Sequence, residues 1–301
     1  MVERTVTATE GTAPGHIRPT RWDRWYRPAL ICLTIVFGAM GLYVAIRRAG
    51  VFLKLGVLGV DHVMFMDFGR RWLEGGTIYL PYQFAGPYAY DVGSGTMDVA
   101  TMPALYPPIV GPILAVWRFV PAVLWWAIPL GVLVYAFVRW RPALWSWPLM
   151  LATLIWPNTA DALWAGSSTL WIVAGVAGGL LWGWPAAVIA FKPSFAPFML
   201  IGVRRRSWWI GVAFVAALAL VMLPEWFRYV SALSNLESPG LVYSLGDLPL
   251  LLVPVIAWLA RRPAAGSVRN LDPLGETSPG GSEGVGWDGL DGPRNENVAQ
   301  R

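Results

Sequence analysis

Charge is scarce in this sequence, since 14% of its 301 residues are charged while 56% are hydrophobic. The apolar residues come in repeated runs that approach the roughly 20 residues needed to cross a hydrocarbon core of about 30 Å. Soluble domains seldom contain such runs. The composition therefore predicts an all-α, polytopic membrane protein, whose helices satisfy their backbone hydrogen bonds internally.

Cysteine and the common catalytic motifs are also scarce or missing. The single thiol, Cys32, lies in the first apolar run, forms no internal disulfide and fits no metal-binding spacing. The sequence has no glycine-rich loop ending in Lys-Ser or Lys-Thr and no His-Glu-x-x-His; its one Gly-x-Ser-x-Gly match, at residues 280–284, falls in the polar C-terminal stretch and not at a strand-to-helix elbow. ATP hydrolysis, zinc proteolysis and serine hydrolysis therefore have no support in the sequence.

No basic strip with interleaved aromatic residues is present, so a nucleic acid is not an expected partner. The net charge of +5 comes mostly from arginines at the ends of apolar runs. Arginines in such places interact with anionic lipid headgroups and orient the helices. Membrane lipids are therefore the first expected partners.

The distribution of polar and apolar residues predicts three parts. Residues 1–27 form a basic segment that the positive-inside rule places in the cytoplasm. Residues 28–262 form the transmembrane domain, and residues 263–301 form a disordered polar tail with too little apolar area to fold. Eight apolar runs predict about eight transmembrane helices, namely 28–46, 104–120, 121–139, 143–157, 168–183, 185–203, 207–223 and 246–260.

Two long loops, 47–103 and 224–245, then lie on the outer face of the membrane. The same topology places Arg139 and Arg141 outside, which the positive-inside rule disfavours. A re-entrant or tilted segment at 143–157 would change the sidedness of the residues that follow it. The topology of residues 139–168 therefore stays open.

The first outer loop concentrates charge within residues 61–79. The spacing predicts an amphipathic, interfacial helix that lies along the membrane surface and ends at Gly75-Gly76. On this helix we expect Phe65 and Phe68 to face lipid and Arg71 to face water. A second short interfacial helix is expected in the later outer loop, at residues 225–229.

Asp61 and Asp67 are the candidate functional acids of this helix. Ordinary solvated acids near the end of a membrane span are the simpler explanation. Asp61, however, directly follows the apolar Leu58-Gly-Val60, where desolvation would raise its pKa toward that of a useful base. Asp67 precedes Arg70 and Arg71 by three and four residues, a spacing that suits an ion pair on a helix surface.

Lys192, one of two lysines in the chain, is a further candidate because it interrupts an apolar run. A cation deep in a span costs about 2.5–3.5 kcal/mol on insertion scales, so it usually faces a cavity or a partner. Snorkelling to the interface is the alternative. Pro193 and Pro197 open the helix at this level and favour a binding site. A phosphate or pyrophosphate is the natural partner of such a point charge.

Tyr106 and Asn158 are weaker candidates. Tyr106 precedes Pro107-Pro108 at the mouth of a span, a place that also suits an ordinary interfacial aromatic residue. Asn158 belongs to the polar stretch 156–168, which is expected to be a loop between two spans. Gly175-x-x-x-Gly179 indicates close helix packing and not a site.

Four segments occur in the order and approximate spacing of a known family: Asp61 with Phe65 and Arg70, Gly75-Gly76-Thr-Ile-Tyr79, Tyr106-Pro107-Pro108, and Lys192-Pro193. The chain thus resembles, over residues 28–230, the polyprenol-phosphate-mannose-dependent mannosyltransferases of the GT-C superfamily (glycosyltransferase family 87). Two positions depart from the family pattern. Gly166-Ser167-Ser168-Thr169 replaces Gly-Gln-x-Asn, and Phe65 stands where tyrosine is common.

The resemblance implies a GT-C-like fold in the cell membrane and an inverting transfer of a mannose-type sugar. The donor would be a polyprenyl-phosphate-linked sugar, and the acceptor a glycan or glycolipid at the outer face. In that scheme Asp61 is the general base, Lys192 and Arg70 stabilise the phosphate leaving group, and no cofactor or metal is required. The remaining expected substrate-binding residues are Tyr106, Asp67 and Asn158.

A non-enzymatic transporter or assembly partner for lipid-linked glycans is the competing hypothesis. It would use Lys192 as a substrate-binding charge and Asp61 as a coupling or topology residue. Transporters often contain repeated halves with matching broken helices. The sequence shows no second copy of the Lys192 region, which favours the transferase.

Overall fold

Helices are the regular elements of this fold in the computed structural model, which describes residues 21–88, 101–237 and 246–262. The α-helices are α1 (Arg21–Leu55), α2 (Val60–Gly75), α3 (Val110–Trp117), α4 (Val123–Trp140), α5 (Ser146–Leu154), α6 (Pro157–Ala165), α7 (Thr169–Trp182), α8 (Arg206–Val221), α9 (Leu223–Ser234) and α10 (Leu248–Leu259). Three 3-10 segments cover Pro81–Phe84, Trp184–Phe191 and Pro193–Gly202. The predicted helical class is thus confirmed for these residues, whereas the predicted tail and residues 1–20 lie outside them.

Two described helices are long and apolar enough to cross a membrane, α1 over Trp25–Leu55 and α4. Two bent pairs would each add one broken span: α6 with α7, at 101°, and α8 with α9, at 83°. The described residues therefore contain two to four candidate spans. They support a helical membrane protein, but the predicted eight spans are not confirmed.

Proline explains why several apolar runs form only short helices. In the run 104–120, Pro107 and Pro108 precede α3, whose eight residues rise only about 12 Å. The run 185–203 divides at Lys192, whose φ of −126° and ψ of 88° separate two 3-10 segments. Because proline lacks an N–H and clashes with the preceding turn, Pro193 does not continue a helix from residue 192.

α2 forms where the sequence predicts it and ends at Gly76, whose φ of 68° lies in the left-handed region. Its apolar face differs from the prediction. Phe65 and Phe68 are 1% and 0% exposed, so the expectation that they face lipid is wrong. The reason is that α3 covers this face, since a Cβ on Gly69 would lie 2.5 Å from the carbonyl oxygen of Leu114.

Residues 157–165 fold as a helix where the sequence predicted a loop. α6 starts at Pro157, which suits the first turn of a helix. It ends at Gly166, where φ is 72° and the chain turns sharply into α7. A Cβ at this position would lie 2.7 Å from the ring of Trp126. Both the backbone conformation and the contact therefore require glycine.

α7 lies in the protein interior, where Val173, Val176 and Ala177 are fully buried. Its glycines allow close contact with the 3-10 segment Trp184–Phe191, as a Cβ on Gly179 would lie 2.9 Å from the Cβ of Ala186. The predicted close packing at these glycines is confirmed. This contact holds the Lys192 junction against the start of α7.

Candidate functional site

One cavity of about 470 Å³ brings together four of the predicted site residues, Asp61, Tyr106, Asn158 and Lys192. They come from the start of α2, the segment before α3, the start of α6 and the junction of two 3-10 segments. Its lining also includes apolar residues of α1, namely Val51, Phe52 and Leu55. The cavity thus combines polar groups with an apolar side.

Asp61 reaches this cavity because α2 begins immediately before it. Gly59 precedes the helix with a φ of 72°, and its N–H donates to the carbonyl of Trp164 at 2.8 Å. Asp61 then lies in the first turn, where the helix dipole favours a negative charge. His62, the next residue, lies instead beside the ring of Trp126, at a centroid distance of 5.3 Å. The two neighbours point apart, because adjacent residues on a helix do not face each other.

The electrostatics of Asp61 suit a base. Burial raises the pKa of Asp61 to about 6, in the direction that its apolar neighbours predicted. A hydrogen bond from Ser167 and the positive charge of Lys192 act against burial, while the negative charge of Asp247 adds to it. A carboxyl with this pKa is mostly ionised at pH 7 and is more basic than an exposed aspartate.

Lys192 is held in a buried ion pair with Asp247, a residue that the sequence analysis missed. The ammonium of Lys192 donates to Oδ2 of Asp247 at 2.7 Å and to the hydroxyl of Thr169 at 3.0 Å. Lys192 is 4% exposed. Buried charges are tolerated when such hydrogen bonds compensate them. The only sequence signal for Asp247 was an isolated acid directly before the hydrophobic run of α10.

Three consecutive hydroxyl residues at the start of α7 connect the candidate residues of the cavity. Ser167 forms a hydrogen bond with Asp61. Ser168 shares one with the hydroxyl of Tyr106 at 3.0 Å. Thr169 accepts from Lys192 and donates to Asp247 at 2.6 Å. These residues stand where the resembled family has Gln-x-Asn, so hydroxyls supply the polar contacts at this turn.

A second ion pair lines the same cavity. Nε of Arg48, near the end of α1, lies 3.4 Å from Oδ1 of Asp161 on α6. The two side chains are 39% and 35% exposed. The sequence analysis missed both residues as site candidates, because Arg48 resembles any positive charge at the end of a span.

Asp67 and Arg70 do not line this cavity. Asp67 binds Arg70 and Arg71, each at 2.7 Å, and Arg70 also binds Glu74 at 3.1 Å. Arg71 is 8% exposed, so the expectation that it faces water is wrong; it donates to the carbonyl of Met102 at 3.0 Å. This cluster ties α2 to the segment before α3. A role of Asp67 and Arg70 in substrate binding stays a prediction.

A second cavity, of about 250 Å³, lies beside the first and has an apolar lining. Tyr106 lines both cavities. The indole N–H groups of Trp117 and Trp171, which also line it, have no hydrogen-bond partner among the described residues. This cavity has the chemistry of an apolar chain-binding space adjoining the polar site.

Comparisons with protein-family models, curated proteins and solved structures find no match to this chain.

Proposed function

We propose that this chain is an inverting glycosyltransferase that moves a mannose-type sugar from a polyprenyl-phosphate donor to a glycan or glycolipid acceptor. The observation that carries the proposal is the shared cavity. In it, Asp61 lies with two cations, Arg48 and Lys192, beside apolar residues of α1. The reaction needs a base, positive charge for a phosphate and an apolar surface for a lipid chain, and this cavity offers all three.

In the proposed reaction, Asp61 is the general base. The acceptor hydroxyl oxygen attacks the anomeric carbon of the donor while Asp61 takes the hydroxyl proton. The bond between that carbon and the phosphate oxygen breaks, and the polyprenyl phosphate leaves with the electron pair. A single displacement inverts the configuration, so a β-linked donor gives an α-linked product. A positioned base of this kind contributes about 10²–10⁴-fold to the rate.

The proposal includes a GT-C-like arrangement of about eight spans in the cell membrane, with the cavity open to the outer face. The support for a membrane location is α1, which is long and apolar enough to cross a membrane. Its side chains Leu42 and Ile46 are 62% and 61% exposed, as expected for contact with lipid. A lipid-linked donor would reach the cavity along this helix.

One observation favours the alternative of a non-enzymatic transporter or assembly partner. Lys192 lies where two 3-10 segments meet, and broken helices around an ionisable residue are frequent in transporters. In that case the chain would bind or move a lipid-linked glycan without breaking its phosphate bond. The presence or absence of a new glycosidic product separates the two functions.

The decisive experiment is a transfer assay in membranes that contain the full chain. Radiolabelled polyprenyl-phosphate mannose is supplied with an acceptor extract, and the labelled product is separated from the donor. We expect transfer by the unaltered chain and a loss of roughly 100-fold or more in Asp61→Asn, which keeps the shape but cannot accept the proton.

Glu74→Gln is the matched control, because Glu74 is an exposed carboxylate on the same helix and does not line the cavity. We expect its transfer rate to equal that of the unaltered chain. Full transfer in Asp61→Asn would eliminate the base assignment. Binding or movement of the donor without any labelled product would establish the transporter alternative.

A further inference from the structure

The two cations of the cavity differ in how firmly the protein holds them. Lys192 is 4% exposed, and two oxygen atoms accept its hydrogen bonds at 2.7 and 3.0 Å. Arg48 is 39% exposed and meets its acid, Asp161, only through Nε at 3.4 Å. A buried and hydrogen-bonded pair resists separation, whereas an exposed pair contributes little. An incoming anion would therefore take Arg48 more easily than Lys192.

Arg48 also has the better chemistry for a phosphate. A guanidinium presents five N–H donors in a planar fork that binds two phosphate oxygens at once, whereas an ammonium acts as a point charge. Among the described residues, no hydrogen bond occupies the two terminal nitrogens of Arg48. Its long contact with Asp161 leaves this fork available.

The position of Arg48 fits a phosphate that is attached to a lipid. Arg48 follows the apolar run of α1, at the level where headgroups lie. One and two turns further along the same helix, Val51, Phe52 and Leu55 line the cavity. A lipid chain that lies along the exposed apolar side chains of α1 before Arg48, such as Leu42 and Ile46, would have its phosphate beside Arg48 and its sugar directed into the cavity that contains Asp61.

We propose that Arg48 binds the phosphate of a lipid-linked substrate and that Asp161 is the internal counter-ion which this phosphate displaces. The inference rests on the proposed function for the identity of the lipid. It assigns to Arg48 the phosphate that the sequence analysis assigned to Lys192. In this proposal, Asp161 compensates the charge of Arg48 until the phosphate binds.

Native mass spectrometry of the detergent-solubilised full chain tests this assignment by titration with polyprenyl monophosphate. We expect Arg48→Gln to weaken binding roughly ten-fold or more, because charge-assisted bonds are lost. Arg48→Lys should retain part of the affinity. Asp161→Asn should bind several-fold more tightly, since the phosphate no longer competes with a carboxylate. A misfolded variant would not show this gain.

Arg47→Gln is the matched control, because it removes the same charge one residue away on α1 and Arg47 does not line the cavity. An equal loss in Arg47→Gln and Arg48→Gln would indicate general attraction to the lipid and would overturn the site. A loss of affinity in Lys192→Gln, with none in Arg48→Gln, would show that Lys192 and not Arg48 binds the phosphate. Unchanged or weaker binding in Asp161→Asn would remove the counter-ion role.

Two further titrations identify the source of the phosphate. Polyprenol, which lacks the phosphate, should bind at least ten-fold more weakly than polyprenyl monophosphate, as should inorganic phosphate. Equal affinity for inorganic phosphate would overturn the lipid-linked assignment. Because these measurements need no sugar transfer, Arg48-dependent binding without transfer would retain the site and refute the transferase. Transfer in the absence of Arg48-dependent binding would retain the transferase and refute the phosphate site at Arg48.

Discussion

The ammonium of Lys192 lies 2.7 Å from Oδ2 of Asp247, which is 55 positions further along the chain. The hydroxyl of Thr169 binds both partners and completes a small buried network. The ammonium of Lys192 therefore already has a carboxylate partner where it lines the cavity. The same network sets the electrostatic surroundings of Asp61 across the cavity.

This ion pair predicts a strong and non-additive effect on stability. Asp247→Leu should destabilise the chain by about 3–5 kcal/mol, because it leaves the charge of Lys192 buried without its acid. The double variant Lys192→Met with Asp247→Leu should recover most of this loss, since no buried charge remains. Reversible unfolding in mixed micelles measures both. Destabilisation of the double variant equal to the sum of the single variants would show that the pair is not coupled.

Asp61 predicts the pH dependence of transfer. A base must be deprotonated, so kcat/KM should fall about tenfold per pH unit below the Asp61 pKa of about 6. Ser167→Ala should move this acidic limb to higher pH, because the hydrogen bond from Ser167 lowers the pKa of Asp61. A pH–rate profile of each variant gives the two midpoints. An unchanged midpoint in Ser167→Ala would show that the loss of rate at acidic pH does not report the pKa of Asp61.

The same carboxyl predicts a gain of stability when it is removed. The pKa of Asp61 is raised from 3.8 to about 6 in the folded chain, so the folded state binds the proton more tightly than the unfolded state. The stabilisation from this proton is complete below pH 3.8 and is lost as the pH rises through 6. At pH 7.5, Asp61→Asn should therefore be more stable than the unaltered chain by about 1–3 kcal/mol.

Thermal unfolding over a pH series measures this difference. The advantage of Asp61→Asn should shrink as the pH falls below 6 and disappear near pH 4, where both side chains are neutral. Glu74→Gln serves again as the control, since it removes a carboxylate of the same helix that is 61% exposed. Lower stability of Asp61→Asn at pH 7.5 would contradict the desolvation of Asp61.

At Gly166, a substitution that adds a single methyl group should disrupt the site. Its φ is 72°, and a Cβ there would meet the ring of Trp126 at 2.7 Å. Gly166→Ala should therefore destabilise the chain by more than about 1 kcal/mol and displace the three hydroxyl residues that follow. Unfolding and transfer assays should both show a loss.

Gly131→Ala is the matched comparison for this prediction. Gly131 lies inside α4, and a Cβ there would meet nothing within 4 Å. Alanine should stabilise this helix by roughly 0.5–1 kcal/mol, because glycine is a poorer helix former. Equal effects of the two substitutions would show that the turn at residue 166 tolerates a side chain.

The sequence predicted local features of the site with good accuracy. The start of α2 near Asp61, its end at Gly76 and the break at Lys192-Pro193 all follow from residues close to one another in the chain. These features depend on glycine, on proline and on the local alternation of apolar and polar residues. The sequence also selected four residues that line one cavity, and two of them, Asp61 and Lys192, stood out because an acid or a lysine among apolar neighbours is rare.

The buried faces of the helices were predicted poorly. The sequence pattern predicted that Phe65 and Phe68 face lipid, although α3 covers them. An apolar face has the same sequence pattern whether protein or lipid lies against it. The predicted number of spans is not confirmed for a related reason, since an apolar run such as 185–203 gives no indication of how proline will divide it.

Composition and local pattern by themselves determined that this chain is helical, that it is rich in membrane-type apolar runs, and that Asp61 and Lys192 are exceptional within it. Only the tertiary structure decided that Lys192 pairs with Asp247, that Arg48 lies against Asp161, and that the hydroxyl of Thr169 binds both Lys192 and Asp247. The physical reason is distance along the chain. Helix and turn propensities act over a few residues, whereas an ion pair between residues 192 and 247 exists only after the helices have packed.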